Sequence, residues 1–313
     1  MLVKKTVFFI FFYVFFGHIT LPAGSIEVKE TEEGLWFVED GQPVLFYQRQ
    51  VKSLNGEFAR NHYIHPLYDL DNQILTEDFP PDHPHHRGIF WAWHQVLIGK
   101  DAMGDSWSCT DFFWDVTAVH VDLESSAAIL HATVLWKSPF WLDPAGAPKP
   151  FLEEQTEMVL YPRTERYRKI DFTIRLSALE SGLKIGGSDD EKGYGGFSCR
   201  VRLPEDVTFT GQTGPVTPQV TAVSGGAWMD LSASYRQDHK NGLTILCHPT
   251  LPLFPPQWIL RATGAMQNPV YPGRSAVALP QDRPLILRYR LLLHSGDSAA
   301  IDIPALYKEY SQE

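Results

Sequence analysis

Thr156-Glu157-Met158-Val159-Leu160-Tyr161, then Pro162-Arg163-Thr164-Glu165, then Arg166-Tyr167-Arg168-Lys169-Ile170-Asp171-Phe172-Thr173-Ile174-Arg175-Leu176 is the stretch that decides the fold. In its second half Ile170, Phe172, Ile174 and Leu176 fall on one side of an extended chain. Asp171, Thr173 and Arg175 fall on the other. A period of two, with aromatic and branched residues on the apolar side, is the pattern of a strand with one buried face. The polar break at Pro162 to Glu165 is a turn, so the stretch reads as an antiparallel hairpin.

The same reading repeats outward from there. Ile26 to Val38 and Val44 to Val51 alternate on either side of Glu39-Asp40-Gly41-Gln42-Pro43, where Asp40-Gly41 is a hairpin signal. Val116 to Leu123 and Ala127 to Trp136 flank Glu124-Ser125-Ser126. Phe197 to Leu203, Val207 to Thr210, Trp228 to Tyr235, Gly242 to Cys247 and Pro284 to His294 continue the series. Pro139 to Pro150 reads as a surface loop, and only Pro304 to Tyr310 has helical character. Many strands, frequent Gly/Pro turns and no βα alternation predict an all-β chain: a large antiparallel β-sandwich with a short C-terminal helix.

Composition sets bounds. Hydrophobic residues make up 44% of the 313 and charged residues only 20%, which excludes disorder for most of the chain. The net charge of −10 argues against nucleic acid or an anionic lipid surface as partner. Residues 1–25 have the layout of a secretory signal: Lys4 and Lys5, an apolar run from Val7 to Phe16, then Leu21-Pro22-Ala23-Gly24-Ser25. That run is about 10 residues, against about 20 needed to span a bilayer. Export to the periplasm or beyond is expected, with membrane contact only through this segment if it is uncleaved. Residues 26–313 then form one sandwich domain, without internal repeat or linker. Loss of Lys4 and Lys5 takes the net charge from −10 to −12. Cys109, Cys199 and Cys247 fit no zinc spacing; one bridged pair and three buried thiols both remain open.

Half of the 12 histidines fall in one window: His62, His65, His83, His85, His86 and His94. Its centre is Asp82-His83-Pro84-His85-His86-Arg87-Gly88, stiffened by Pro80, Pro81 and Pro84. Three chemistries fit such a cluster. It can ligate a divalent metal, it can be an acid/base site for an organic substrate, or it can pin a long loop. In the second reading His85 leads as general acid or base, supported by His65 and His86. Glu157 is the partner carboxylate if its strand side faces inward; a solvated face is the other reading. Arg87 would bind an anion or a hydroxyl pair, and Trp93 would stack on a ring. His83, His94 and Trp107 complete the near wall. Lys192 and Tyr194 lie among Gly193, Gly195 and Gly196, which would let backbone approach a ligand. His248 and Asn268 could add hydrogen bonds. His120, His131 and His239 read as ordinary strand or surface residues. Gly-x-Ser-x-Gly is absent, and so is a dinucleotide fingerprint.

Tyr63-Ile64-His65-Pro66-Leu67-Tyr68, followed by Leu75 to Gly88, resembles the signature of a bacterial family of exported proteins commonly labelled methane oxygenase-like. Lys192 to Phe197 resembles its second block, and Leu287 to Leu291 with His294 and Gly296 a third. The likeness spans essentially the whole chain after the leader. Methane oxidation itself is excluded, because a particulate monooxygenase subunit is a bundle of membrane helices and this chain has no such segments. The resemblance implies a galactose-mutarotase-like supersandwich and an association with sugar degradation. The expected function is an exported carbohydrate-active enzyme acting by histidine acid/base chemistry, as lyase, epimerase or hydrolase. Its substrate would be a carbohydrate or another small polar molecule. A non-catalytic carbohydrate-binding protein of the envelope and a histidine-ligated metalloenzyme are the alternatives. No cofactor is assigned beyond that divalent metal.

Overall fold

Leu152–Leu160 and Tyr167–Ala178 pair antiparallel, with Thr156 opposite Ile174 and Met158 opposite Phe172. The computed structural model describes residues 24–236, 239–264 and 266–313. Of the expected leader, all but Gly24 and Ser25 lies outside the described residues. The hairpin sits inside a nine-stranded sheet ordered Phe113–Leu123, Ala128–Lys137, Leu152–Leu160, Tyr167–Ala178, Leu285–Ser295, His239–Cys247, Trp228–Arg236, Thr208–Gly211 and Gly214–Pro215. A six-stranded sheet faces it, ordered Ile26–Glu30, Gly34–Glu39, Gln42–Gln48, Tyr63–Leu67, Ile89–Trp93 and Gly195–Cys199. Neighbours in both sheets run antiparallel.

The inner faces of the two sheets share one apolar core. Trp93 meets Trp136 at 5.6 Å between ring centroids, Phe172 meets Phe197 at 5.2 Å, and Phe197 stacks on Tyr289 at 4.5 Å. Each fully buried side chain of this size contributes about 1.5–3 kcal/mol, and this closes the sandwich. A carboxylate also lies between the sheets. Glu154 is fully buried and accepts hydrogen bonds from His62 Nε2 (2.7 Å), Trp91 Nε1 (2.7 Å), Trp136 Nε1 (2.9 Å) and Thr156 Oγ1 (2.7 Å). Burial would raise its carboxyl, but His62, Thr156 and Trp136 hold it below the usual carboxylate range. An ionised carboxylate only accepts, so His62 Nε2 donates to it, and Nδ1 is hydrogen-bonded to Tyr47 Oη at 2.7 Å.

The outer face of the nine-stranded sheet is divided. Its later strands lie under the C-terminal helix Ile303–Tyr310, whose Ile303 and Tyr310 pack with Trp228, Leu246 and Leu292. Asp302 caps this helix by accepting the Ala305 N–H. Its earlier strands leave the outward side chains of His120, His131 and Glu157 partly open to water. Among the described residues no helix is long and apolar enough to cross a membrane.

The Asp40-Gly41 hairpin forms as expected, both residues taking the positive φ (51° and 76°) that such a turn requires. Two expectations change, and the open cysteine question closes. The single strand expected from Ile26 to Val38 is two, paired with each other around Thr31-Glu32-Glu33. Polar turn residues do not visibly interrupt an alternation that already expects polar residues at every second place. The strand expected to run from Phe197 to Leu203 ends at Cys199, where Arg200 turns to carboxylates. No cysteine pair bridges: all three thiols are free, and Cys199 and Cys247 are core residues whose thiols burial pushes up.

Candidate active site

Ile89–Trp93 is buried on both of its faces. Trp91 and Trp93 enter the core between the sheets, and Phe90 and Ala92 point the other way. There they pack with Tyr63, Trp107, Ile259 and Met266, and the 80–88 loop folds back over this outer cluster. Under the loop is a cavity of about 170 Å³ lined by His83, His85, His86, His94, Trp107, Tyr194 and Met266.

Two devices hold the loop. Arg200, itself buried, donates from Nε to Glu77 at 2.7 Å and from Nη2 to Asp82 at 2.7 Å. Its own N–H bonds the Gly88 carbonyl at 2.7 Å, and Gly88 N–H bonds the Glu77 carbonyl at 2.8 Å. Gly88 takes φ +61°, and a Cβ there would stand 2.1 Å from the Ile64 carbonyl oxygen, so only glycine fits.

The imidazoles form one packed group. His83 and His86 stack at 4.8 Å, and His85 meets His86 edge-on at 4.5 Å. His94 stacks on Trp107 at 5.4 Å, and Trp107 on Tyr194 at 5.8 Å. Two of the four rings are backed by carboxylates. His94 Nδ1 donates to Asp105 Oδ2 at 2.8 Å, and Asp105 Oδ1 accepts the N–H groups of Trp107 (2.8 Å) and Ser108 (3.0 Å). Burial would raise Asp105, but the bond and charge of His94 and the bonds from Ser108 hold it below its usual range. With Asp105 ionised, His94 Nδ1 carries a proton and the ring is held in one orientation. His83 Nδ1 bonds Asp82 Oδ2 at 2.9 Å in the same way. Burial would raise Asp82, but the bonds from Arg200 and His83 and the charge of Arg200 together hold it well below the ordinary carboxylate range.

Burial, followed by the charges of neighbouring His and Arg side chains, lowers His85 to about 4 and His86 to about 2. Burial also lowers His65 to about 4. All three are neutral at pH 7. The sign of the linkage follows. The unfolded chain takes up protons on these rings as pH falls below about 6.5, and the folded chain does not, so stability is full above that value and declines below it. His86 alone contributes a slope of about 1.4 kcal/mol per pH unit over that window. The transition temperature should therefore fall steadily from pH 7 to pH 4.5, and a His86→Gln variant that still folds should show a flatter profile.

The structure thus gathers His83, His85, His86, His94, Trp107 and Tyr194. Lys192 stands just outside, in a shallow depression of about 650 Å³ that shares Tyr194 with the cavity and also holds Arg261. The other candidates lie elsewhere. Ile64 faces the core, so His65 faces outward beside Asp78, Lys52 and Arg87, bonded to Thr76 Oγ1 at 3.0 Å and off the cavity wall. Arg87 binds nothing external. Its Nε donates to Asp78, its Nη2 to Tyr63 Oη at 2.5 Å and its Nη1 to the Lys52 (3.2 Å) and Phe58 (3.0 Å) carbonyls, with Phe79 stacked 3.6 Å from the guanidinium. Trp93 is a core ring whose Nε1 donates to the Tyr271 carbonyl at 2.9 Å. Asn268 is fully buried and ties the Gly195 and Phe197 backbone. Gly193 and Gly195 admit backbone rather than ligand, since a Cβ on either would crowd Arg274, Gly187 or Tyr271 backbone. Met158 faces inward, so Glu157 faces outward; the inward carboxylate is Glu154. His248 lies between Thr250 and Arg288, at a separate groove of about 690 Å³ on the outer face of the nine-stranded sheet. That groove is the larger, but no imidazole lines it.

Arg87 is accordingly a stability residue. Arg87→Met would leave Asp78, whose side chain is 5% exposed, without its main partner. Breaking a buried pair in this way costs about 3–5 kcal/mol, less here because Lys52 also reaches Asp78 at 2.7 Å. Urea denaturation should show a loss of about 3 kcal/mol, and a loss under 1 kcal/mol would contradict this role.

The sequence missed the two dyad carboxylates, Asp82 and Asp105, as orienting groups, and it missed Arg200. Asp82 and Asp105 are adjacent to or near their histidines, so a His-carboxylate pairing rule would have found them. Arg200 follows the end of a strand, 118 residues from Asp82 and 123 from Glu77, and leaves no local signal. Carboxylates stand behind the rings, and none lines the cavity among the described residues.

A family model described as "Family of unknown function (DUF6807)" matches residues 36–308. The chain belongs to that family. The description names no activity, so the methane oxygenase-like label gains no support from it. The chain has no match among curated proteins. A putative mutarotase (YeaD) from Salmonella typhimurium is similar in structure, at 8% identity and a TM-score of 0.39, over 89% of this chain and 96% of that one. A likeness so distant has no bearing on the site.

Proposed function

We propose that the protein is an exported enzyme, one domain after its leader, that moves a proton at or next to a sugar ring. The observation that carries this reading is the convergence of four imidazoles on one small cavity, with His94 held in place by Asp105. His85 is neutral at pH 7 and can take a proton; His94, backed by an anion, can take or return one from another side. A ring that takes the carbon-bound proton becomes the imidazolium that can return it, which suits epimerisation or elimination beside a ring carbonyl. This suits hydrolysis less, because glycosidases generally place two carboxylates on the substrate and here none lines the cavity among the described residues.

The cavity is smaller than the roughly 300–1,000 Å³ that encloses a drug-sized ligand. It takes one small polar ring or the edge of one, and the Lys192–Tyr194–Arg261 depression offers room for what extends beyond it. A substrate bearing an acidic group would meet the two cations there. The test is proton exchange: the protein is incubated in D2O with a panel of aldoses, keto-sugars and uronates, and carbon-bound deuterium is followed by NMR. Exchange or product formation with some member is expected. Saturable binding of a glycan with no exchange or turnover across the panel would favour the non-catalytic binding protein instead.

A further inference from the structure

We propose that His120, Asp122 and His131 bind a divalent transition-metal ion, zinc by preference, on the open half of the nine-stranded sheet. Among the described residues this is the place where three His, Cys, Asp or Glu ligand atoms lie within 4.8 Å of one another. The histidine-rich cavity is not such a place. The inference is independent of the proposed chemistry there.

Backbone register creates the group. His120 pairs directly with His131 across the Phe113–Leu123 and Ala128–Lys137 strands, and Asp122 is two residues further along the same side. The pairing slips by one residue between Val116 and Ala118. A one-residue bulge reverses which side chains face out. Beyond it Val119 and Val121 turn toward the core, and His120 and Asp122 turn to water. Without the bulge the two polar residues would be driven inward.

Distances fit an ion better than they fit hydrogen bonds. Asp122 Oδ2 is 3.4 Å from His131 Nε2 and 3.8 Å from His120 Nε2. Both exceed the roughly 2.7–3.2 Å of an N–H···O bond. Around tetrahedral zinc, with bonds of about 2.0–2.1 Å, ligand atoms are about 3.3 Å apart. The two rings stack at 4.6 Å and 16°, and both bring Nε2 near Asp122 Oδ2. Behind His131, Glu157 stands directly opposite in the next strand, with Oε2 3.8 Å from Nδ1. A carboxylate behind the far nitrogen is the usual support for a metal-bound imidazole. Neither Asp122 nor Glu157 forms an ion pair with a Lys or Arg among the described residues. Three protein ligands leave the fourth zinc position to water.

Isothermal titration of zinc chloride into the untagged, chelator-stripped full chain at pH 7.5 tests this. One equivalent is expected. His120→Ala and His131→Ala should each weaken binding more than tenfold, and Glu157→Gln about tenfold. A His83→Ala/His85→Ala variant should bind as the parent does. Circular dichroism spectra and melting temperatures matching the parent show that the surface variants fold. Absence of a one-equivalent site overturns the proposal, and so does binding that survives His131→Ala in folded protein or is lost in the His83/His85 variant.

Discussion

Glu154→Ala is expected to cost about 3–5 kcal/mol, a large share of the roughly 5–15 kcal/mol that holds a typical protein folded. The carboxylate is at 0% exposure and is the acceptor for four donors from four places in the chain: His62, Trp91, Trp136 and Thr156. Removing it leaves those donors buried and unpaired, at about 1–3 kcal/mol each before relaxation, and opens a cavity between the sheets. The melting temperature should drop on the order of 10 °C at pH 7. Glu154→Gln keeps the shape but offers an NH2 group to donors, so it should fall between the two. Because the folded carboxyl is held below its ordinary value of 4.5, its contribution is present above that pH and is lost as pH falls through the folded value. The Gln variant should accordingly lose the acid limb of the stability profile below about pH 4.5, whereas the parent keeps it. A melting temperature within 2 °C of the parent for Glu154→Ala would contradict the clasp.

The second large effect concerns turnover. His94→Ala removes the ring that Asp105 orients, and His85→Ala removes the neutral ring across the cavity. Positioned general acids and bases contribute about 10²–10⁴-fold, so each variant should lose that much kcat with the melting temperature nearly kept. Asp105→Asn tests orientation separately. Its amide can donate to His94 Nδ1 and favour the other tautomer, so it should lower kcat more than it changes KM. Arg87→Met should lower stability and leave kcat of the folded fraction near the parent's, since Arg87 touches none of the cavity residues.

How far the sequence foretold this can be argued from particular residues. Ile170, Phe172, Ile174 and Leu176 announced their strand because period-two burial is local, and all four are buried. The His83–His94 group was visible for the same reason: loop and strand are contiguous, so its members had to lie close. Facing was harder. Glu157 and Glu154 differ by an odd step, and one residue of parity decides whether a carboxylate is in the core or in water. His120 and His131 looked unremarkable, because nothing local shows a bulge that turns one to meet the other. Arg87 carried the charge expected of a ligand site, yet Asp78, Phe79 and Tyr63 enclose it. Arg200, which the sequence did not single out, ties the loop through Glu77 and Asp82. Long-range partners of this kind depend on register, which a single sequence leaves open.

The most direct test of the histidine cavity as a catalytic site is deuterium exchange at carbon, measured by NMR for parent, His85→Ala and His94→Ala protein on the same sugar panel. Exchange or turnover by the parent on at least one sugar is expected, lowered at least a hundredfold in both folded variants. Parent-level exchange in folded His85→Ala and His94→Ala protein would contradict this and remove the cavity from the chemistry.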